Sequence, residues 1–421
     1  MMSGETSMGF NKLPIPVKIK LFENAKLPQY KTSGSVCADC YCNLASDYIS
    51  IPPFGKAKIP LGFALEIPEG YKVIGYTPDG MSYQFKHDRL PVDFILKLYA
   101  ENTYKNSKTA LKSSLQKLSA KYENIDTFTW CNQICAITTF NSSATGKEFS
   151  GWAICVPLKI EGSQLVLLCY ADEEKSKNCE QFIISTLNSL CIDNESKTQP
   201  GIITSYAYPG TQKKKIELLI DNNKVETSIN EEDSIANQFV IDCEFAVLSL
   251  YSNNDKWKEA WTRYYRAIFR DSYSRIQKPA FDIKTALYSQ MKKKNPENPN
   301  QSLNETLLNW VQNFEYVRTS GSKKSDFTNV IDVLCGKGND CDSRSMLMCC
   351  IMQNLGVKSE LFISRIYSHA VYGLDLNIPG AKIEVNGINF LLNETTARNI
   401  KPGLIAQDQC DTEKWIPVNL P

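Results

Sequence analysis

The sequence predicts a mixed α+β protein that contains several domains. The chain has 421 residues, more than a single hydrophobic core usually organises. Short strand-like segments separated by proline and glycine come first, and helical periodicities then alternate with strands. No sequence repeat of fixed period is visible, which argues against a solenoid or a propeller.

Two polar, proline-containing segments divide the chain. Residues 193–201 (DNESKTQPG) and 295–301 (NPENPNQ) show no apolar periodicity, as is typical of linkers. They give three blocks, and the first block divides again where its β-rich part is followed by helical patterns. We therefore expect four units: a β-rich segment at 1–85, an α/β domain at 86–194, a hairpin followed by a helical domain at 195–294, and an α+β domain at 295–421.

Periodicity and turn residues predict the elements within these units. In the first two units we expect short strands at 17–21, 57–59, 62–67 and 71–74, helices at 92–104, 109–122 and 177–190, and strands at 127–140, 151–160 and 164–170. In the third we expect a hairpin turning at 221–223, then helices at 235–250 and 255–275 with an aromatic packing face. In the last we expect a helix starting at the Ser302-x-x-Glu305 capping box, a helix at 341–355 ending at Gly356, strands at 358–366 and 369–376, and a hairpin turning at Asn386-Gly387.

Composition excludes several classes of partner. A formal net charge of +1 gives no general attraction to nucleic acid or to anionic membranes, and the lysine runs at 213–215 and 292–294 lack interleaved aromatic residues. The N-terminus lacks a signal-peptide pattern and no apolar stretch reaches about 18 residues. The 15 cysteines are scattered and odd in number, which favours reduced thiols. We expect a soluble, cytoplasmic protein with a protein or peptide substrate, no nucleic-acid or membrane partner, no cofactor and no metal.

Two histidines limit any chemistry that depends on an imidazole. His87 lies in the charged run Lys-His-Asp-Arg and is expected to be a solvated surface residue, whereas His369 begins a predicted strand in the last unit. The same unit contains Cys341 at the start of an apolar helix. There the helix dipole and the unpaired N–H groups should lower the thiol pKa and could also bind an oxyanion. Gly336 and Gly338 would let the backbone approach a substrate closely.

A third group is needed to orient the imidazole. The predicted strand after the Asn386-Gly387 turn ends in Asn393 and Glu394. Because side chains alternate along a strand, only one of these two can point at His369. The sequence leaves both as candidates.

The runs GNDCDSRSMLMCCIMQNLGV, SHAV and NGINFLLNETTA resemble the transglutaminase-like superfamily of cysteine enzymes over residues 300–405. That family has a cysteine at a helix start, a histidine on the following strands, and an acidic residue two positions before a threonine. The resemblance implies Cys341 as nucleophile, His369 as base, and Glu394, two before Thr396, in place of the family's usual aspartate. Gly338, Asp340 and Asp342, which flank the thiol, are then expected to contact substrate, whereas Cys349 and Cys350 are expected in the core.

The resemblance implies a papain-type enzyme that attacks an amide carbonyl, forms an acyl-enzyme, and transfers the acyl group to water or to an amine. Water as acceptor would make the protein a peptidase or amidase, and an amine would make it a transglutaminase. The alternative from another class is a non-catalytic interaction scaffold built on the same fold.

A second resemblance lies near the N-terminus. The runs GSVCADC at 34–40 and IPEGY at 67–71 resemble the first part of a dUTPase β-barrel, in which Asp39 matches the first-motif aspartate. That family's Arg-Ser-containing second motif is replaced by Tyr76-Thr-Pro-Asp-Gly80, and the uracil-binding hairpin and glycine-rich arm are not found. The resemblance implies a nucleotide-binding or trimer-forming remnant, with dUTP hydrolysis as an alternative function. Cys37, Cys40 and Cys42 lack a second ligand pair for zinc.

Overall fold

The computed structural model describes residues 63–144, 146–159, 162–318 and 324–421. In this part the chain is mixed α+β and is built on two larger antiparallel sheets, which confirms the predicted mixture of helices and sheets. The predicted strands at 17–21 and 57–59, together with Asp39 and the cysteines at 37–42, lie outside the described residues.

The first sheet has seven antiparallel strands, in the order β2-β3-β4-β8-β7-β6-β5, and a separate two-stranded ladder pairs β1 with β9. Helices cover both faces of this sheet. Alternate residues of β8 pack in one hydrophobic cluster with α1 and in another with α2, since successive side chains of a strand point to opposite faces. The elements are β1 (Ala64–Leu65), β2 (Tyr71–Tyr76), β3 (Ser82–His87), β4 (Val92–Tyr99), α1 (Ser107–Lys117), β5 (Asp126–Trp130), β6 (Gln133–Ala144), β7 (Lys147–Pro157), β8 (Gln164–Asp172), α2 (Glu173–Asn188) and β9 (Leu190–Cys191).

The helix expected at 92–104 is wrong, because its first half is the central strand β4. Val92, Phe94 and Leu96 are buried in alternation with less buried residues, which is the period of a strand. A short apolar run of this kind fits either a helix or a strand. Pairing with β3 on one side and with β8 on the other makes this segment a strand.

A β-hairpin and two long helices follow the first sheet. Asp221 and Asn222 turn the hairpin with φ angles of 46° and 61°, at the predicted position. The second of the long helices has 38 residues and extends well past the predicted end at 275. Its Tyr264, Tyr265 and Phe269 are buried, as expected for a packing face. The elements are α3 (Ile202–Ala207), β10 (Lys213–Ile220), β11 (Asn223–Asn230), α4 (Asp233–Ser249) and α5 (Trp257–Lys294).

The last part of the chain forms a five-stranded antiparallel sheet in the order β14-β15-β13-β12-β16, with α8 packed against its central strands. The first helix begins at Pro299 with Asn298 as its N-cap, before the predicted capping box, so Ser302 lies inside the helix. Asn386 and Gly387 form the predicted hairpin turn with φ angles of 51° and 81°. The elements are α6 (Pro299–Gln312), α7 (Val330–Leu334), α8 (Cys341–Asn354), β12 (Ser359–Ser364), β13 (His369–Leu374), β14 (Lys382–Val385), β15 (Ile388–Asn393) and β16 (Ile416–Pro417).

One hydrophobic cluster connects the hairpin, α5 and the C-terminal sheet. It extends in sequence from Leu218 to Val418 and includes the apolar side of α8. Cys349 and Cys350 are fully buried within it, as expected. The helix that carries Cys341 is therefore held from both sides, by α5 and by strands β12 and β13.

Three further findings concern the cysteines, metal binding and the length of the helices. Within the described ranges, each cysteine is unpaired. In the same ranges, no group of three or more His, Cys, Asp or Glu side chains is arranged to hold a metal ion. The helices of the described part are too short or too polar to cross a lipid bilayer.

The buried carboxyl of Glu360 on β12 gives a prediction about stability. It accepts backbone N–H groups of Asn419 and Leu420, and burial raises its pKa from 4.5 to about 7. The folded state therefore binds more protons than the unfolded state between these pH values, so this group weakens stability as pH rises through that interval. We compare the free energies of unfolding of Glu360→Gln and of the unsubstituted protein by urea denaturation. As pH rises from about 5 to about 8, the difference should move in favour of Glu360→Gln by about 1 to 3 kcal/mol.

Glu384→Gln, at an exposed position on β14, is the matched control and should show no such pH-dependent gain. A Glu360→Gln difference that stays constant between the two pH values would contradict the account of Glu360.

Candidate active site

The start of α8 presents the candidate nucleophile. Cys341 is the first residue of the helix, and Asp340 is its N-cap, with Oδ1 accepting from the backbone N–H of Ser343 at 3.3 Å and from its hydroxyl at 2.5 Å. Gly338 packs so closely on Val317 that a Cβ atom there would lie 2.4 Å from Cγ2. The backbone before Cys341 is therefore held against the segment after α6, with no room for a side chain.

His369 and Glu394 form a short hydrogen bond. The distance between Nε2 of His369 and Oε2 of Glu394 is 2.6 Å, and both side chains are largely buried. Thr396 donates its backbone N–H and its hydroxyl to Oε1 of Glu394 at 2.7 and 2.6 Å. Burial raises the pKa of Glu394, but the His369 hydrogen bond and charge and the two Thr396 bonds outweigh it and bring the pKa to about 2. Glu394 is thus a carboxylate at neutral pH that accepts a hydrogen bond from Nε2–H of His369.

Asn393, the other candidate for the third position, points away from His369. Its Oδ1 accepts from Nδ2 of Asn304 at 2.9 Å, and its own Nδ2 donates to the carbonyl of Leu391 at 2.7 Å. The hydroxyl of Tyr372 donates to Asn304 at 2.7 Å and completes a buried network between α6 and the sheet. The structure therefore brings Glu394 to the imidazole and gives Asn393 a packing role.

Ala370 and Thr395, the residues that follow His369 and Glu394, contact the start of α8. A backbone hydrogen bond from Ala370 reaches the thiol of Cys341, and the hydroxyl of Ser345 donates to the Ala370 carbonyl at 3.4 Å. The hydroxyl of Thr395 donates to the carbonyl of Cys341 at 3.4 Å. Nδ1 of His369 has no hydrogen-bond partner among the described residues. One ring nitrogen of His369 thus stays available as an acceptor.

The thiol of Cys341 is only 8% exposed. Burial raises its pKa above the ordinary value, and the nearby carboxyl groups of Asp342 and Asp340 act in the same direction. The lowered thiol pKa expected from the helix dipole alone is therefore wrong for this arrangement. Cys341 is a neutral thiol unless a base removes its proton.

Two of the residues expected to contact substrate are turned inward. Asp340 caps the helix and is 2% exposed, and Asp342 is 9% exposed and accepts the hydroxyl of Tyr265 at 2.6 Å. Their carboxyl groups have partners inside the protein, so neither is exposed at the surface of the site. Gly338 remains at the approach to Cys341, against Val317.

Arg344 is a site residue that sequence reasoning missed. Its fully buried guanidinium donates to Asn339, to the Thr395 carbonyl at 3.1 Å and to the Phe314 carbonyl at 3.0 Å. No carboxylate in the described part forms an ion pair with it, and burial lowers its pKa. These bonds join α8 to the residue that follows Glu394. A single arginine in an otherwise apolar helix was the signal that could have pointed to this role.

Trp415 was also missed. Its ring lies 6.3 Å from the His369 ring, and its Nε1 donates to the carbonyl of Gln409 at 3.0 Å. Its position far along the chain from His369 gave no signal in the sequence. Tyr316 and Arg318 also lie close enough to interact electrostatically with Cys341.

His87, expected on the surface, is buried instead. Its Nε2 lies 2.8 Å from the Glu69 carbonyl, and its Nδ1 accepts the backbone N–H groups of Arg89 and Leu90 at 3.2 and 3.0 Å. Burial lowers its pKa. The charged neighbours in sequence misled the prediction because the ring itself connects the turn after β3 to the loop before β2. It is a satisfied structural histidine, far in sequence from the candidate site.

Comparison with known proteins gives partial matches. No family model matches the chain. The deoxyuridine 5′-triphosphate nucleotidohydrolase of Hydrogenobaculum sp. (strain Y04AAS1) is 43% identical over 53 residues, 13% of this chain and 35% of that protein. The same enzyme of Orientia tsutsugamushi (strain Boryong) is 40% identical over 73 residues, 16% of this chain and 49% of that protein. The chain thus spans between a third and a half of these curated relatives, and the matches support the dUTPase-like segment.

Solved structures give weak superpositions. The Saccharomyces cerevisiae Ran-binding protein Mog1p superposes at a TM-score of 0.25 with 11% identity, over 32% of this chain and 92% of that one. A protein from Bacteroides thetaiotaomicron VPI-5482 covers 84% of this chain and 91% of its own at a TM-score of 0.24 with 10% identity. At values this low, neither a shared overall fold nor a shared activity is indicated.

The buried guanidinium of Arg344 leads to a prediction about stability. Arg344→Met keeps much of the side-chain volume but leaves three buried acceptors without donors, so we expect a loss of about 2 to 4 kcal/mol in unfolding free energy by urea denaturation. Arg318→Met, at an exposed arginine paired with Asp326, is the matched control and should change stability little. Equal effects of the two substitutions would contradict the role assigned to Arg344.

Proposed function

We propose that the C-terminal part of the chain is a transglutaminase-like cysteine enzyme that acts on amide bonds, with Cys341 as nucleophile, His369 as general base and Glu394 as the orienting carboxylate. The observation that carries the proposal is the 2.6 Å bond from Nε2 of His369 to Glu394, which leaves Nδ1 of His369 without a hydrogen-bond partner among the described residues. The family resemblance supports the same three residues independently.

Each group has a definite task in such a reaction. With its Nε2 proton held by Glu394, His369 can accept the thiol proton only at Nδ1. The sulfur then attacks the carbonyl carbon of the amide, and the imidazolium returns the proton to the departing amine, which leaves a thioester on Cys341. Water or a second amine attacks that thioester and restores the thiol.

The helix start offers donors for the oxyanion. The backbone N–H groups of Cys341 and Asp342 have no acceptor among the described residues, whereas that of Ser343 is occupied by the two neighbouring carboxyl groups. Two free donors at the positive end of a helix suit a developing negative oxygen. They are the groups that a bound carbonyl oxygen would meet first.

The raised pKa of Cys341 specifies how the thiol would be activated. A thiol that stays protonated at rest cannot form a standing thiolate–imidazolium pair, so its proton must move to His369 as the sulfur attacks. Trp415 lies beside the His369 ring and Tyr316 lies near Cys341, so we expect these two aromatic residues to contact a bound substrate.

The rival function from another class is a non-catalytic scaffold that keeps the same fold. It predicts that Cys341 behaves like the buried Cys349 and Cys350, without chemistry of its own. The hydrogen-bonded His369–Glu394 pair favours the enzyme, because a purely structural histidine usually has both ring nitrogens satisfied, as His87 does here.

Substitution of the nucleophile tests the proposal. We expect Cys341→Ala to abolish hydrolysis or amine transfer on a library of peptide amides while leaving the unfolding transition in place, because the sulfur provides the covalent step. The exposed Cys335, which is close to Cys341 in sequence, provides the matched control Cys335→Ala, which should keep full activity. Activity that survives in Cys341→Ala would remove the proposal.

The N-terminal segment gives a second candidate function, favoured by its similarity to dUTP nucleotidohydrolases. We propose that this segment retains nucleotide binding and has lost most hydrolysis, because the chain lacks the family's second motif and its glycine-rich arm. Isothermal titration with dUTP should detect binding that Asp39→Ala weakens about tenfold or more, as expected for loss of a polar ligand contact. Pyrophosphate release should stay at background, and unchanged binding in Asp39→Ala would remove this candidate.

A further inference from the structure

The candidate acid Glu394 lies one residue beyond the paired part of its strand. Strand β15 pairs with β13 from Leu391 opposite Leu374 to Asn393 opposite Tyr372, and the pairing stops there. Glu394 is only 6% exposed, and a buried backbone carbonyl needs a hydrogen-bond donor. Because no neighbouring strand supplies that donor, it has to come from another part of the chain.

Gln312, the last residue of α6, is the donor. Its Nε2 donates to the Glu394 carbonyl at 2.7 Å and to the Ile400 carbonyl at 2.9 Å. The side chain is 1% exposed, and its Oε1 has no hydrogen-bond partner among the described residues. The two carbonyls alone therefore set the orientation of this amide. One buried side chain thus holds both ends of the turn from residue 394 to residue 400.

The residues on either side of Glu394 are held in the same way. Asn304, also on α6, donates to Oδ1 of Asn393 at 2.9 Å, and Arg344 on α8 donates to the Thr395 carbonyl at 3.1 Å. Both donor side chains are fully buried, so water cannot readily replace their bonds. Three consecutive residues, with the candidate acid in the middle, are therefore fixed by buried polar side chains from two helices.

This support is relevant to the imidazole because the bond between His369 and Glu394 is short. Its length is 2.6 Å, so a displacement of the Glu394 backbone by about 1 Å would take it out of the usual hydrogen-bond range. Thr396 also donates to the carboxylate, but it belongs to the same turn and would move with Glu394. Donors from outside the turn are needed to fix the carboxylate relative to the sheet that carries His369.

From this arrangement, and resting on the proposed function, we propose that Gln312 is a positioning residue: by holding the Glu394 and Ile400 carbonyls, it keeps the Glu394 carboxylate on Nε2 of His369. Gln312 forms no hydrogen bond with Cys341 or His369 in the described part of the chain. It therefore acts on the reaction only through the position of Glu394.

Proton NMR of the histidine ring N–H groups tests this inference, because the chain contains only two histidines. In the unsubstituted protein, the Nε2–H of His369 should give a downfield signal that exchanges slowly with water, since it is bonded to a largely buried carboxylate. Gln312→Met keeps the side-chain volume but has no donor. It should broaden or abolish this signal and lower kcat on peptide amides about tenfold or more, with KM little changed.

Two controls separate this effect from general destabilisation. The Nε2–H of His87, bonded to the Glu69 carbonyl, is an internal reference whose signal should stay the same. Gln164→Met is the matched variant, because Gln164 is also a buried glutamine but lies on β8 of the first sheet, where it accepts the Ser107 hydroxyl at 3.0 Å. It should leave both the His369 signal and kcat unchanged.

A variant that does not fold is recognised by iodoacetamide labelling of Cys349 and Cys350, which are buried in the folded protein. If Gln312→Met fails in this way, Gln312→Asn decides the question. It keeps an amide but is one methylene shorter, so it cannot reach both carbonyls, and it should give the same loss of the His369 signal and of kcat.

The outcomes distinguish this inference from the proposed function. If Gln312→Met leaves either the His369 signal or kcat unchanged, or if Gln164→Met has an equal effect, the positioning role is overturned. The enzyme proposal then still stands as long as Cys341→Ala abolishes amide turnover. If Cys341→Ala keeps its turnover, the enzyme proposal fails, and the role of Gln312 in catalysis fails with it.

Discussion

The hydrogen bond between His369 and Glu394 is the interaction on which the candidate site depends. It orients the imidazole and keeps a proton on Nε2, so the other nitrogen becomes the only available base. Glu394 can do this because Thr396 supplies two further donors that hold it as a carboxylate within a largely buried environment. Burial alone would favour the neutral acid, and the His369 imidazole and the Thr396 donors together keep Glu394 ionised.

The surrounding fold brings three separate parts of the chain together at the candidate site. Helix α8, strand β13 and the end of β15 each contribute one side chain, and Arg344 joins the first to the last through buried backbone acceptors. Helix α5 supports α8 from behind and contributes Tyr265 to the carboxyl group next to the thiol. A buried charged network of this kind costs stability when any partner is lost, so the site and the fold are energetically coupled.

The sequence predicted the parts that depend on local rules. The Asn386-Gly387 turn, the Gly356 helix end and the position of Cys341 at the start of α8 follow from backbone preferences of a few residues, and they were correct. The predictions of a helix at 92–104, an exposed His87 and a lowered Cys341 pKa were wrong, because burial by parts of the chain distant in sequence decides all three. The choice between Asn393 and Glu394 needed the sheet register and the Asn304 network, which no local pattern contains.

The distance between Sγ of Cys341 and Nδ1 of His369 in a crystal structure of the chain, with a peptide-like electrophile attached to the sulfur, tests the central claim most directly. The account predicts that Nδ1 lies within about 4 Å of the sulfur, with Nε2 still bonded to Glu394. An imidazole turned away from the sulfur, or an electrophile attached to another cysteine instead, would contradict it.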